Sequence, residues 1–472
     1  MRSAAFLSAL MSCAFAFGQP EFSPLGLGVG AGGLTRLEAH PDGEHLIIAG
    51  GFNLVEGQSC PRIVAWDGTE FEPLGCGLLN GVWDCTSPLT LGGGNPVTDL
   101  EFWNGELYAC GVFSHSGSTP VHSIARWDGS SWQPVGGQPD ESILSVRGYA
   151  DGLYATGNFT HIDTLEALGL ARWDGTTWHS VYAMPDLNPN YPISQVFDMA
   201  WYDDMLYVAG HFIGPYGDRI SRWNGTVWEP VPPGFHGAFP WVYRLEVHND
   251  LLYVAGAFTT LDDATNPGSG VVAYDGSNWY PLAGGTTGSV NNAVNEMLWW
   301  NDTLYIAGSF NVIGGVPSDG LAKWDGERWC SLVPPDYFNI TSNVIGLFHD
   351  SLFIGGNFTV AGGDSIARIG RWEGGTYLDS CGLAVGVAEP TGILDISLFP
   401  NPARDHVMLG AWPSDARYVG IHDALGRSVR RESIPLTGRV ELGTLAPGHY
   451  LLVLTNADGQ HAARGQLVVQ RQ

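Results

Sequence analysis

The sequence predicts an all-β protein, a seven-bladed β-propeller followed by a small C-terminal β-sandwich. Three observations carry this. A phrase built on Trp-Asp-Gly-x-x-Trp recurs seven times, an apolar phrase ending Gly-x-Phe precedes each copy, and the recurrence stops near Cys381, where the charge balance also changes.

The repeat predicts its own four strands. The first is an apolar stretch closed by a turn, as in "LEFWNGELY", "LEVHNDLLY" and "MLWWNDTLY". The second ends in "IAGGF", "ACGVF", "ATGNF", "VAGHF", "VAGAF", "IAGSF" or "IGGNF", finishing at Phe52, Phe113, Phe159, Phe212, Phe258, Phe310 and Phe358. The third carries the first aromatic of the signature, at Trp66, Trp127, Trp173, Trp223, Tyr274, Trp324 and Trp372, and the fourth begins with the second aromatic. Asn-Gly, Asp-Gly and Asn-Asp pairs supply the positive φ that two-residue hairpins need. Gaps of 61, 46, 50, 51, 50 and 48 residues between signatures are the period of a propeller. Blades stacked radially bury both faces of each sheet, so both strand faces are apolar. Of the 18 Trp, 11 sit at the two signature positions, and the signature is accordingly read as scaffold. "FSPLG" at 22–26 copies the fourth-strand phrase of later repeats, and is expected to complete blade seven from the other end of the chain.

Residues 1–18, "MRSAAFLSALMSCAFAFG", have an early Arg, an apolar run and small residues near the end, the pattern of a secretory signal peptide. A competing reading makes Cys13 a lipidation site. The six remaining cysteines are an even number and show no metal-ligand spacing such as Cys-x-x-Cys. Cys76 and Cys85 flank the start of the longest inter-blade insertion, where a short disulfide loop contributes roughly 2–3 kcal/mol.

Residues 19–390 hold 12 basic against 41 acidic side chains, whereas 391–472 hold eight Arg against seven acids. The propeller is therefore assigned to 19–382, a Gly/Pro-punctuated linker to 383–392 and a second domain to 393–472. Its short alternating strands, split by Asp-Gly and Pro-Gly turns, predict a β-sandwich. "LDISLFPNPARDHVML", "VGIHDALGRSV" and "VELGTLAPGHYLLVLTNADGQ" resemble the type A C-terminal sorting domain of type IX secretion cargo. The residues that carry the resemblance are Phe399, Pro400, Asn401, Pro402, Asp405, Asp423, Gly426, Arg427, Gly448 and Tyr450. It implies delivery through the periplasm to the outer surface or medium, with the type IX machinery as partner. The repeats resemble kelch-type secreted propellers, a likeness that leaves function open.

Charge excludes some partners. An excess of acid this large repels phosphate backbones and anionic lipid, so nucleic acid is not expected, and no stretch after the leader is long enough to span a bilayer. No catalytic constellation or cofactor motif is found, and the 14 histidines form no metal pair. Calcium is the one ion that acidic loops such as "LDDATNPGSG" would suit. The expectation is a monomeric surface module binding a glycan or protein. The alternative is a propeller enzyme acting on polysaccharide, of lyase or oxidase type. Variable loops on a rigid ring are where binding sits, and the loop aromatics Trp83, Tyr191, Phe235, Phe239, Trp241, Tyr337 and Phe338 are the candidate stacking platforms.

Overall fold

The computed structural model describes residues 21–470 other than 31, 86–95, 182–194, 215–216, 238–239, 262–267, 288–291, 375–378, 382–393, 411, 414–415, 423–427, 436, 444 and 457–460. The chain divides into two compact units at residues 386/387. The leader, residues 1–18, lies outside the described residues, as does the whole of the segment 383–392. Among the described residues, no helix is long and apolar enough to cross a membrane.

The first unit contains seven four-stranded antiparallel sheets, one per repeat. Their inner strands are Leu34–Ala39, Val97–Trp103, Ile143–Tyr149, Gln195–Tyr202, Val242–His248, Ala293–Trp300 and Ser342–Phe348. Each inner strand packs against the inner strands of the preceding and following sheets, and the seventh packs against the first, so the sheets form a closed ring around a central channel. Closure uses both ends of the propeller sequence. Phe22–Pro24 is the outer strand of sheet seven, with Phe22 opposite Trp372 and Pro24 opposite Gly370.

The signature is scaffold, and each part of it has a mechanical cause. The Asp or Asn caps the turn between third and fourth strands: Asp67 Oδ1 accepts from the amides of Thr69 and Glu70, and Asn224 Oδ1 from those of Thr226 and Val227. In sheets two, three, five and six the second Trp staples the sheet to the one before it. Trp132 Nε1 donates to Leu74 O at 3.0 Å, Trp178 to Val135 O at 2.9 Å, and Trp279 to Pro232 O at 2.8 Å. The cation before the first aromatic pairs with a nearby acid, as in Arg126–Glu106, Arg172–Asp151, Arg222–Glu229, Lys323–Asp379 and Arg371–Glu373. The Phe of the Gly-x-Phe phrase is buried in all seven sheets.

The Gly of that phrase answers to a feature of the neighbouring strand. Every inner strand is bulged at one place, between Leu34 and Arg36 in sheet one and at the equivalent step in the other six. The bulge pushes inner-strand backbone onto the second strand. A Cβ on Gly210, Gly256 or Gly308 would lie 2.0, 2.1 or 2.0 Å from the carbonyl oxygen of Gln195, Trp241 or Ala293. Only glycine fits there.

Two disulfides are present among the described residues. Cys76–Cys85 has a sequence separation of 9, and Cys330–Cys381 one of 51. The second pins the chain leaving sheet seven back onto the outer strand of sheet six, where Lys323 also meets Asp379 at 2.8 Å. Cys60 and Cys110 are buried free thiols.

The second unit is two sheets around one core. The five-stranded sheet runs, in spatial order, Leu394–Asp395, His461–Val469, Gly448–Thr455, Tyr418–His422 and Ser428–Ser433; the other holds Leu398–Phe399, His406–Leu409 and Arg439–Glu441. Val407, Val419, Leu442, Leu452, Leu454 and Leu467 fill the space between.

Candidate functional site

A bulge adds one residue on a strand and re-aims its side chain. Here the added residues are Thr35, Thr98, Leu144, Phe197, Tyr243 and Asn295 in sheets one to six. All six line one cavity of about 350 Å³, together with Leu34 and Arg244. Inner strands begin where the strand-two-to-three and inter-sheet loops emerge, so this cavity is the channel mouth on the loop face.

One residue deeper, six sheets build a charged ring. Arg36 Nε lies 3.2 Å from Asp99 and its Nη1 3.0 Å from Glu296; Arg147 bridges Asp99 at 2.7 Å and Asp198 at 2.9 Å; Arg244 Nη2 reaches Glu296 at 3.3 Å. Three cations alternate with three anions. Ser145 stands in sheet three where its neighbours have an acid or Arg, and Arg147, two residues on, fills that gap. Burial alone would raise the Asp99 carboxyl, but the guanidiniums of Arg147 and Arg36 outweigh it and hold Asp99 below the usual carboxylate range. The ring is unevenly committed. Arg36 and Arg147 each have two or more acids within salt-bridge distance, whereas Arg244, with its side chain 15 % exposed, has among the described residues the single 3.3 Å contact to Glu296; the Nε atoms of Arg36 and Arg244 both lack a hydrogen-bond partner there.

Beyond the ring, towards the tight-turn face, a second cavity of about 440 Å³ is bordered by Glu38, Glu101 and Glu246. Burial raises all three carboxyls, and Glu101 is pushed up to about 7 despite the nearby Arg147.

At the loop-side mouth the rings gather. Phe197 lies 5.8 Å from Tyr243 and 6.3 Å from Trp241, Trp241 lies 6.2 Å from Tyr243, and His211 flanks Trp241 at 5.4 Å. The Tyr243 hydroxyl makes no hydrogen bond among the described residues, and burial pushes it up to about 12.

Of the loop aromatics predicted as platforms, Trp241 is placed here. Phe235, Tyr337 and Phe338 are a correction: they are 1 %, 5 % and 6 % exposed and belong to the core. Phe235 pairs through its backbone with Leu261 and packs 4.4 Å from Phe258, while Tyr337 and Phe338 each lie 5.7 Å from Phe22, the ring-closing strand. Trp83 is half-buried beside the Cys76–Cys85 loop, its amide donating to Gly117 O at 3.1 Å, and is not among the residues that line the mouth cavity. Tyr191 and Phe239 lie outside the described residues. Phe197, Tyr243 and Arg244 were not foreseen. Their signal was available in the inner strands, where two charges interrupt an apolar run in "LTRLEA", "VTDLEFW" and "VYRLEVH".

For metals, Asp42, Glu44 and His45 come within ligand spacing on the exposed turn between the first two strands of sheet one. Asp325 approaches Cys330 and Cys381, but those sulfurs are joined to each other. The stretch "LDDATNPGSG" falls mostly outside the described residues.

In the second unit Phe399 stands 54 % exposed on a strand at the edge of the smaller sheet. The Phe399–Pro400 and Asn401–Pro402 bonds are both cis. Asn401 Oδ1 accepts from Val468 N at 2.8 Å, Leu442 N donates to Asp405 O at 2.7 Å, and the Tyr450 hydroxyl donates to Ala446 O at 2.9 Å. Gly448 opens a long strand of the larger sheet, and Asp423, Gly426 and Arg427 lie outside the described residues.

Residues 397–470 match the family of secretion system C-terminal sorting domains. No curated protein matches the chain in sequence. Among solved structures, the chain is similar to the extracellular domain of a putative hybrid two-component system from B. thetaiotaomicron, at 11 % identity and a TM-score of 0.47, covering 96 % of this chain and 60 % of that one. It is also similar to PorZ, a surface component of the type IX secretion system of Porphyromonas gingivalis, at 13 % identity and a TM-score of 0.36, covering 93 % of this chain and 66 % of that one. The β-propeller domain of the Trilobed protease from Pyrococcus furiosus gives 10 % identity and a TM-score of 0.41, covering 73 % and 96 %. The chain thus spans under two thirds of the first two structures, and likenesses at these scores say nothing of what it binds.

Proposed function

For a chain whose tail carries a type IX sorting domain, and which is therefore secreted or displayed at the outer surface, we propose that the propeller is a binding module whose ligand is a glycan seated in the loop-side mouth of the channel. The carrying observation is the Phe197–Trp241–Tyr243 cluster, of which Phe197 and Tyr243 line the cavity with Thr35 and Thr98, the Tyr243 hydroxyl making no hydrogen bond among the described residues. Aromatic faces suit the C–H faces of sugar rings, and a few polar groups fix orientation. A cavity of about 350 Å³ lies within the range of small-ligand sites.

Binding is favoured over a lyase reading by the chemistry of Tyr243. A phenol acting as base needs its proton lost near neutral pH, whereas burial pushes this one up to about 12, which suits a hydrogen-bond donor. The test is glycan-array capture by the full chain, with Trp241→Ala and Tyr243→Phe as variants. Capture lost in both, with the thermal midpoint unchanged, supports the reading; capture retained in both overturns this site.

A further inference from the structure

The ring beneath the mouth narrows the class of ligand, on the reading that the mouth binds a glycan. Arg36 holds its three nitrogens within 3.5 Å of Asp99, Glu296 and Glu38, though its Nε makes no hydrogen bond among the described residues, and Arg147 sets its two terminal nitrogens on Asp99 and Asp198. Arg244 shares with Arg36 a single oxygen of Glu296. The anion that would complete its side of the ring, Asp198, is turned elsewhere: Oδ1 takes Arg147 and the amide of Met199, and Oδ2 takes the amide of Leu245. A guanidinium has five donors in a planar fork and no way to shed its charge, so a largely buried one with one long contact is an incomplete arrangement. Arg244, which follows Tyr243 in sequence, is the ring residue that borders the loop-side cavity, and it borders the deeper cavity as well.

We propose that the mouth recognises the carboxylate of a terminal acidic sugar, the carboxylate pairing with Arg244 and the Tyr243 hydroxyl donating a second hydrogen bond, while the sugar ring lies against Phe197 and Trp241. Carboxylate matches the fork in shape and charge, and charge-assisted bonds of this kind are the strong ones. The ligand is a terminal residue and not a polyuronate. The chain carries a formal net charge of −27, which repels a long polyanion, whereas one carboxylate is screened from distant charges beyond about 8 Å at physiological salt and meets the groups in contact.

The experiment titrates the full chain with a glucuronate-terminated trisaccharide, with the same trisaccharide as its methyl ester, and with the glucose-terminated equivalent. The acid is expected to bind about tenfold or more tighter than the ester. Arg244→Lys, which keeps the charge of the ring and loses the fork, should shrink that acid-to-ester ratio to about threefold or less. Equal affinity for acid and ester in the unaltered chain overturns the proposal and leaves the glycan reading standing; failure of all three sugars and of neutral glycans alike overturns both. Should Arg244→Lys not fold, the acid-to-ester ratio of the unaltered chain still decides.

Discussion

Glu101 shows what it costs to line a channel with acid. Its carboxyl sits at about 7, against an ordinary 4.5, because burial disfavours the charged form more than Arg147 favours it. Between those two values the folded chain keeps a proton that the unfolded chain gives up. The contribution is therefore fully present below pH 4.5 and is lost as pH rises through 7. Glu101→Gln should leave stability at pH 4 nearly unchanged and raise it at pH 8 by about 1–3 kcal/mol, measured by denaturant unfolding at both values. Equal unfolding at pH 8 would show the carboxyl to be solvated after all. Arg147 is the opposite case. Arg147→Met removes the bridge between Asp99 and Asp198, both of which have fully buried side chains, and the expected loss is about 3–5 kcal/mol.

At the scale of the element, the bulge in every inner strand couples two features that the sequence displays far apart. Gly256→Ala would drive a methyl to 2.1 Å from Trp241 O, a backbone atom that cannot swing away. It should destabilise the chain and also shift Trp241, so that glycan capture weakens more than the loss of folded protein explains. Tryptophan fluorescence read alongside capture checks this. Blades, turns, the ring-closing strand and the sandwich tail were legible because each leaves a local mark: an Asn-Gly turn, a Gly before a Phe, a fourth-strand phrase at 22–26. The mouth was not. Its residues are contributed one per repeat, about fifty apart, and become neighbours only when the ring closes. The loop aromatics seemed unowned for the same reason, since what covers Tyr337 and Phe338 is Phe22, more than three hundred residues away in sequence.

For the whole molecule, the two disulfides differ in what they restrain. Loop-closure entropy predicts about 2.6 kcal/mol from the 9-residue separation of Cys76–Cys85 and about 4 kcal/mol from the 51-residue separation of Cys330–Cys381. Replacing Cys330 and Cys381 together by Ser should accordingly lower the unfolding midpoint further than replacing Cys76 and Cys85; the reverse order would mean that the insertion after sheet one does more for the ring than the latch on sheet six. The pairing of Phe22 with Trp372 has a consequence in time. The strand that completes the seventh sheet is made near the beginning of synthesis and its partner some 350 residues later, so a growing chain holds an open arc with a bare edge until both are free to meet. The channel, its charged ring and its mouth exist only after that meeting. Nothing that is still being threaded, end first, through a pore can carry a ligand there.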